Sequence, residues 1–140
     1  MIRVTADSNI YISALLFGGP PDDILTLARQ GKITLVISDA ILDEVTRVLR
    51  EKFRFSDYAA AVTREQISSF TEHVTPAHEI SVITEDPTDN RILECAQAGQ
   101  SEYLVTRDKH LLKLDYFGPT RIILAAEFLE TIRAQGREGS

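Results

Sequence analysis

Cysteine is nearly absent from this chain. Its one cysteine, Cys95, cannot form a disulfide within the molecule and has no cysteine partner for a zinc site. It lies in the apolar helical pattern Ile92-Leu93-Glu94-Cys95-Ala96, where a buried, inert thiol is expected. No apolar run approaches the ~20 residues needed to cross a bilayer. The first residues pass directly into a strand-like run, without the basic and apolar regions of a signal peptide. A cytoplasmic location and no membrane partner are therefore expected. Repeats, low-complexity segments and recognisable linkers are missing too. The 140 residues fit one compact domain over residues 1–135, with 136–140 a frayed C-terminal tail. Basic residues are outnumbered: 15 Lys+Arg against 21 Asp+Glu leave a net charge of −6. That balance argues against holding nucleic acid by general electrostatics. It is compatible with chemistry on phosphates through bound cations, which reverse the sign inside an acidic pocket.

What is present is a 44% hydrophobic content, enough for a core, arranged in alternating patterns. Strand-like runs occur at residues 2–6, 33–37, 80–83, 103–106 and 121–124. Helical periodicity fills most of the intervals. One helix covers 9–17 and stops at Gly18-Gly19-Pro20-Pro21; a second covers 21–30, with Gly31 as its C-cap. Ser38 or Asp39 caps a longer helix reaching about residue 53, and Ser56 or Asp57 opens another ending near His73. Asp86-Pro87-Thr88-Asp89 leads into a helix ending at Gly99, and the last helix spans 125–134. Such alternation predicts an α/β fold, a three-layer α/β/α sandwich around a mainly parallel five-stranded sheet. The two helices between the second and third strands form an arm suited to gripping a substrate or partner.

Open α/β sheets bind ligands at the carboxyl ends of their strands. Asp7 closes the first strand-like run and Asp108 follows the fourth, so both carboxylates point into one crevice. Asp89 opens a helix at the same edge, with Asp86 as the alternative ligand three residues earlier. Glu44 lies at the border of the arc formed by Ile41, Leu42, Val45, Val48, Leu49 and Phe53. Asp43 faces away, placed to pair with Arg47 at i+4. Each residue also has an ordinary reading: Asp7, Asp89 and Asp108 suit helix caps, and Glu44 suits a border glutamate. Together, four converging carboxylates repel one another unless a cation lies between them. The natural occupant is a hard divalent ion, Mg2+ or Mn2+, and that points to phosphate chemistry. Ser8, Asn9 and Thr106 can orient the carboxylates from behind. Arg47, Arg50, Arg107 and Lys109 flank the pocket as candidate phosphate contacts, and His110 reads as a surface histidine or a ligand.

The segments Val4–Ala14, 37–45, 86–96 and 103–112, followed by Glu127-Phe128-Leu129-Glu130, occur in the order found in PIN domains. The chain resembles that family over nearly its whole length, most of all the bacterial and archaeal branch of toxins from toxin–antitoxin pairs. The resemblance implies a metal-dependent endoribonuclease using one or two Mg2+ or Mn2+ ions. Asp7, Asp89 and Asp108 would be ligands, and Glu44 a ligand or an orienter of water. It also implies an RNA substrate, an antitoxin partner and a homodimer. Two positions depart from the pattern: Arg107 stands where many relatives have glycine, and His110 where many have aspartate. The rival readings are a non-catalytic RNA- or protein-binding PIN-fold domain and an aspartyl phosphotransferase. The latter would want a second aspartate where Asn9 stands.

Overall fold

The computed structural model describes residues 1–136; beyond Gly136, the expected frayed tail lies outside the described residues. β1 (Arg3–Ala6) leads into α1 (Ser8–Phe17) and α2 (Pro20–Arg29), then β2 (Thr34–Ile37), α3 (Asp39–Phe53), α4 (Asp57–Ser69) and β3 (Thr71–His73). A 3-10 turn, Pro87–Asp89, opens α5 (Asn90–Ala98). β4 (Tyr103–Val105), α6 (Lys109–Leu112), β5 (Tyr116–Phe117), β6 (Thr120–Ile123) and α7 (Ala125–Ala134) complete the chain. The sheet runs β3-β2-β1-β4-β6-β5 and is parallel except for the β5–β6 hairpin.

The fold is therefore α/β with a mainly parallel sheet, but with six strands instead of five. The expected strand at 80–83 is not one, although Ile80 and Ile83 are buried. Side chains of α5 take the place of a neighbouring strand. Glu94 accepts from the Ile80 amide at 2.8 Å, and Asn90 Oδ1 accepts from Val82 and Ile83 at 3.0 and 2.9 Å. Asn90 Nδ2 donates back to the Ile83 carbonyl at 2.8 Å. Buried backbone groups must be paired, and here helix side chains pair them. The third strand lies earlier: α4 stops at Ser69, and Thr71–His73 adds to β2 as an edge. Its partly exposed Thr-Glu-His sequence carries no apolar alternation to reveal it. The two-residue β5 is similarly too short for a period.

β1, β2 and β4 are covered on both faces, with Val4, Ala6, Leu35, Val36, Leu104 and Val105 fully buried. Ile10 and Tyr11 of α1, Leu49 of α3, Leu93 of α5 and Phe128 of α7 close over them. Ser38 caps α3 by accepting from the Ile41 amide, and Ile41, Leu42, Val45 and Leu49 turn inward. Phe53, the last residue of the expected apolar arc, is exposed. Cys95 is fully buried, and burial pushes its thiol up to about 11, in keeping with an inert group.

Gly99 sits where α5 comes closest to β2. A Cβ there would lie 2.6 Å from Val36 Cγ2 and 3.0 Å from Val36 Cβ. We therefore expect Gly99→Ala to destabilise the protein by about 1–3 kcal/mol, the usual cost of overpacking a dense core. Urea unfolding would show a lower midpoint with an unchanged slope. In a double-mutant cycle with Val36→Ala, part of the loss should be recovered, because the clash needs both side chains.

Candidate functional site

β1 and β4 are parallel neighbours in register, with Ala6 opposite Val105. Residues that follow them leave the sheet side by side at its carboxyl edge. Here the chain's path also reverses, with β2 and β3 on one side of β1 and β4, β6 and β5 on the other. Ligands of open α/β sheets bind at such a switch point. The Asp7 amide continues the ladder, donating to the Val105 carbonyl at 2.9 Å. Thr106, fully buried, donates its hydroxyl to Asp7 Oδ2 at 2.7 Å and accepts from the Asp108 amide at 3.0 Å. One hydroxyl thus links two acidic residues from adjacent strands. Asn9 Nδ2 and Ser8 Oγ also donate to the Asp7 carboxylate, at 3.1 and 3.3 Å.

The ordinary cap reading separates these aspartates. Asp108 caps α6, accepting from the amides of His110 at 2.7 Å and Leu111 at 3.2 Å. Asp7 and Asp89 precede helices but accept no capping hydrogen bond from their side chains. Asp89 is buried, and its Oδ2 has no hydrogen-bond partner among the described residues. Such an oxygen is costly unless something else satisfies it. Asp86 keeps its Oδ1 on Thr88, accepting from the amide at 3.2 Å and the hydroxyl at 2.6 Å.

Asp7, Glu44, Asp86, Asp89 and Asp108 all line one cavity of about 260 Å³. The structure thus brings together the four acidic residues singled out in the sequence, and Asp86 with them. Two of these, Asp89 and Asp108, also group with His110, which is not among the residues lining the cavity: each of the three offers a donor atom, all within 4.8 Å of one another. His110 is partly buried, with Nδ1 3.6 Å from Asp108 Oδ1. The expected Asp43–Arg47 pair is not formed. Asp43 pairs with Arg64 of α4 at 2.9 Å, and Arg47 bridges Glu44 and Glu51 on its own helix. Packing of α4 against α3 brings in an arginine that no spacing along α3 could reveal. Arg50 lies 3.9 Å from Asp57, and Arg107 and Lys109 are exposed on either side of Asp108.

Arg91 was not legible as a site residue. Among the described residues it is the basic one lining the acidic cavity, while its Nη2 donates to Glu94 at 2.7 Å and to the Ile80 carbonyl at 3.1 Å. Its place in the first turn of α5, two residues after Asp89, was the available signal. Electrostatically the carboxylates still dominate. Burial, then the neighbouring charges of Asp108, Asp86 and Asp7, push Asp89 up to about 7. Burial also raises Asp7, against the lowering effect of its Thr106 and Ser8 hydrogen bonds.

A raised carboxyl pKa means that the folded state binds the proton more tightly than the unfolded chain. Stability from Asp89 is then full below its unfolded value, near 3.8, and is lost as pH rises through about 7. Glu85 works the opposite way, held at about 2 by its own backbone amide and by Lys113, but it titrates below this window. We therefore expect the melting temperature of the metal-free protein to fall between pH 5 and about pH 8. Asp89→Asn should flatten most of that slope in a series of thermal melts.

Comparison with known proteins bears on the fold and the family. No curated protein matches the chain in sequence. In structure it is similar to a chain in the crystal structure of VapBC2 from Rickettsia felis bound to a DNA fragment from their promoter. The TM-score is 0.59 at 16% identity, covering 86% of this chain and 97% of that one, which is a likeness of fold. Residues 3–110, from the start of β1 to His110, match the family model of the PIN domain. That span runs across every acidic residue of the cavity, and the chain belongs to the PIN-domain family, whose members are generally nucleases.

Proposed function

We propose that this protein is a Mg2+- or Mn2+-dependent endoribonuclease that hydrolyses RNA phosphodiester bonds, and that it is the toxin of a toxin–antitoxin pair. The observation that carries the metal-dependent reading is the buried Oδ2 of Asp89, without a partner among the described residues, set among carboxylates from three other chain segments. A divalent cation suits that donor set, since hard ions take carboxylate oxygens. Asp7, Asp89 and Asp108 would hold it, with Glu44 a ligand or an orienter of the attacking water. When bound, such an ion withdraws charge from the phosphoryl oxygens and acidifies water.

The chain's own residues supply the rest. Thr106, Asn9 and Ser8 hold the Asp7 carboxylate in one orientation. Arg47 holds Glu44 from outside the cavity, so its release or retention sets the direction of that carboxylate. Arg91 at the cavity wall, with exposed Arg107 and Lys109 next to Asp108, offers positive charge to RNA phosphates. Arg50, further along α3, extends that charge toward the arm formed with α4. Membership of the PIN-domain family and the fold shared with a chain of VapBC2 support the toxin reading. An antitoxin and a second copy of the chain are the partners this reading includes. Among the described residues no helix is long and apolar enough to cross a membrane, and the reading places the protein in the cytoplasm.

The test is cleavage of a mixed RNA pool with Mn2+, Mg2+ or EDTA, comparing wild type with Asp7→Asn. The swap keeps the size of the residue and an acceptor for Thr106, and no side-chain cap is lost, because Asp7 makes none. Cleavage should require metal and fall by more than about a hundredfold in the variant, since even outer-sphere partners cost ~10–100-fold. Equal cleavage by both folded proteins would reject the site.

A further inference from the structure

We infer that His110 is a nitrogen ligand of the cation site and that it shifts the site's preference from Mg2+ toward Mn2+. The inference rests on the metal-dependent reading above and concerns which ion that site selects. His110 and Asp108 are locked into one turn: the His110 amide donates to Asp108 Oδ1 at 2.7 Å, and the imidazole Nδ1 stands 3.6 Å from the same oxygen. That separation is too long for a hydrogen bond. It is close to the ~3 Å spacing of adjacent donors around an octahedral ion with bonds of about 2.1 Å. Asp89 completes the group, with all three donor atoms within 4.8 Å of one another, near the ~4.2 Å span of opposite donors in the same geometry. Independently, the buried Oδ2 of Asp89 has no partner among the described residues, so the third member is left needing a positive neighbour.

The donor set decides the preference. Mg2+ demands near-ideal oxygen octahedra and gives up water reluctantly. Imidazole nitrogen suits transition metals, whereas carboxylate oxygens suit Mg2+ and Mn2+ alike. Two carboxylates with one imidazole therefore favour the ion that accepts both donor types. A histidine that only neutralised the carboxylates as a cation would repel the ion and leave no nitrogen bound to it. The two roles differ in what a bound ion would report.

Electron spin-echo envelope modulation of the Mn2+-loaded protein detects a directly bound nitrogen-14. Titration calorimetry with MnCl2 and MgCl2 gives the two affinities. Wild type should show nitrogen modulation and bind Mn2+ more tightly than Mg2+. In His110→Asp the modulation should vanish and the preference narrow by about tenfold. His110→Gln, which adds no carboxylate charge, should also lose the modulation, and circular dichroism checks that both variants fold. Mn2+ bound without nitrogen modulation in wild type would overturn this inference and leave the nuclease reading standing. An unchanged preference in the folded variants would overturn it as well. Failure of wild type to bind either ion would remove the metal-dependent reading and this inference together.

Discussion

Five carboxylates around one cavity of about 260 Å³ repel one another, and most of what surrounds the site answers that repulsion. Three answers are visible. Hydrogen-bond donors from Ser8, Asn9 and Thr106 stabilise the charge on Asp7, although burial opposes them. The amides of α6 do the same for Asp108, and Arg47 meets Glu44 at the rim. Asp89 has no such donor on its Oδ2 among the described residues, and a proton held up to about pH 7 is the remaining way to lower the charge. Burial first, and then the repulsion of its neighbours, raises Asp89, and a cation relieves both where that proton would otherwise sit.

The same helix that presents Asp89 also secures the loop before it. α5 places Asn90, Arg91 and Glu94 against backbone groups of residues 80–83, using side chains where a sheet would use another strand. The cavity wall is therefore tied to the core by buried hydrogen bonds, although the segment has no regular structure of its own. Asn90 bonds in three directions at once, to Val82, Ile83 and Pro87. Arg91 joins the two functions, holding Glu94 and the Ile80 carbonyl while bordering the acidic cavity. Gly99 ends this helix against Val36, so the element that carries Asp89 at its start is packed on β2 at its end. Stability and site geometry are linked through one element.

Much of this was legible along the chain because the signals are local. Short apolar runs marked β1, β2, β4 and β6, and Ser38 and Ser56 marked helix starts. Acidic residues just beyond strand ends, Asp7 directly after β1 and Asp108 three residues after β4, marked the edge they reach, since strand polarity alone decides it. The misreadings share a cause. Ile80 and Ile83 are buried as apolar residues should be, yet whether a buried segment joins a ladder depends on what lies beside it. Thr71–His73 has no apolar alternation because an edge strand needs little burial. Asp43 turns to Arg64 because α4 packs across α3, a contact 21 residues away in sequence.

By itself, the sequence determined the α/β class, the order of most elements and the carboxylates available at the strand ends. Those follow from periodicity, caps and strand direction, which act over a few residues. Only the tertiary structure decided that Thr106 bridges two strands, that Asp89 Oδ2 is left without a donor among the described residues, and that His110 stands beside Asp89. These depend on the lateral register of β1 against β4 and on the docking of α5. Both are set by the packing of side chains far apart in the chain.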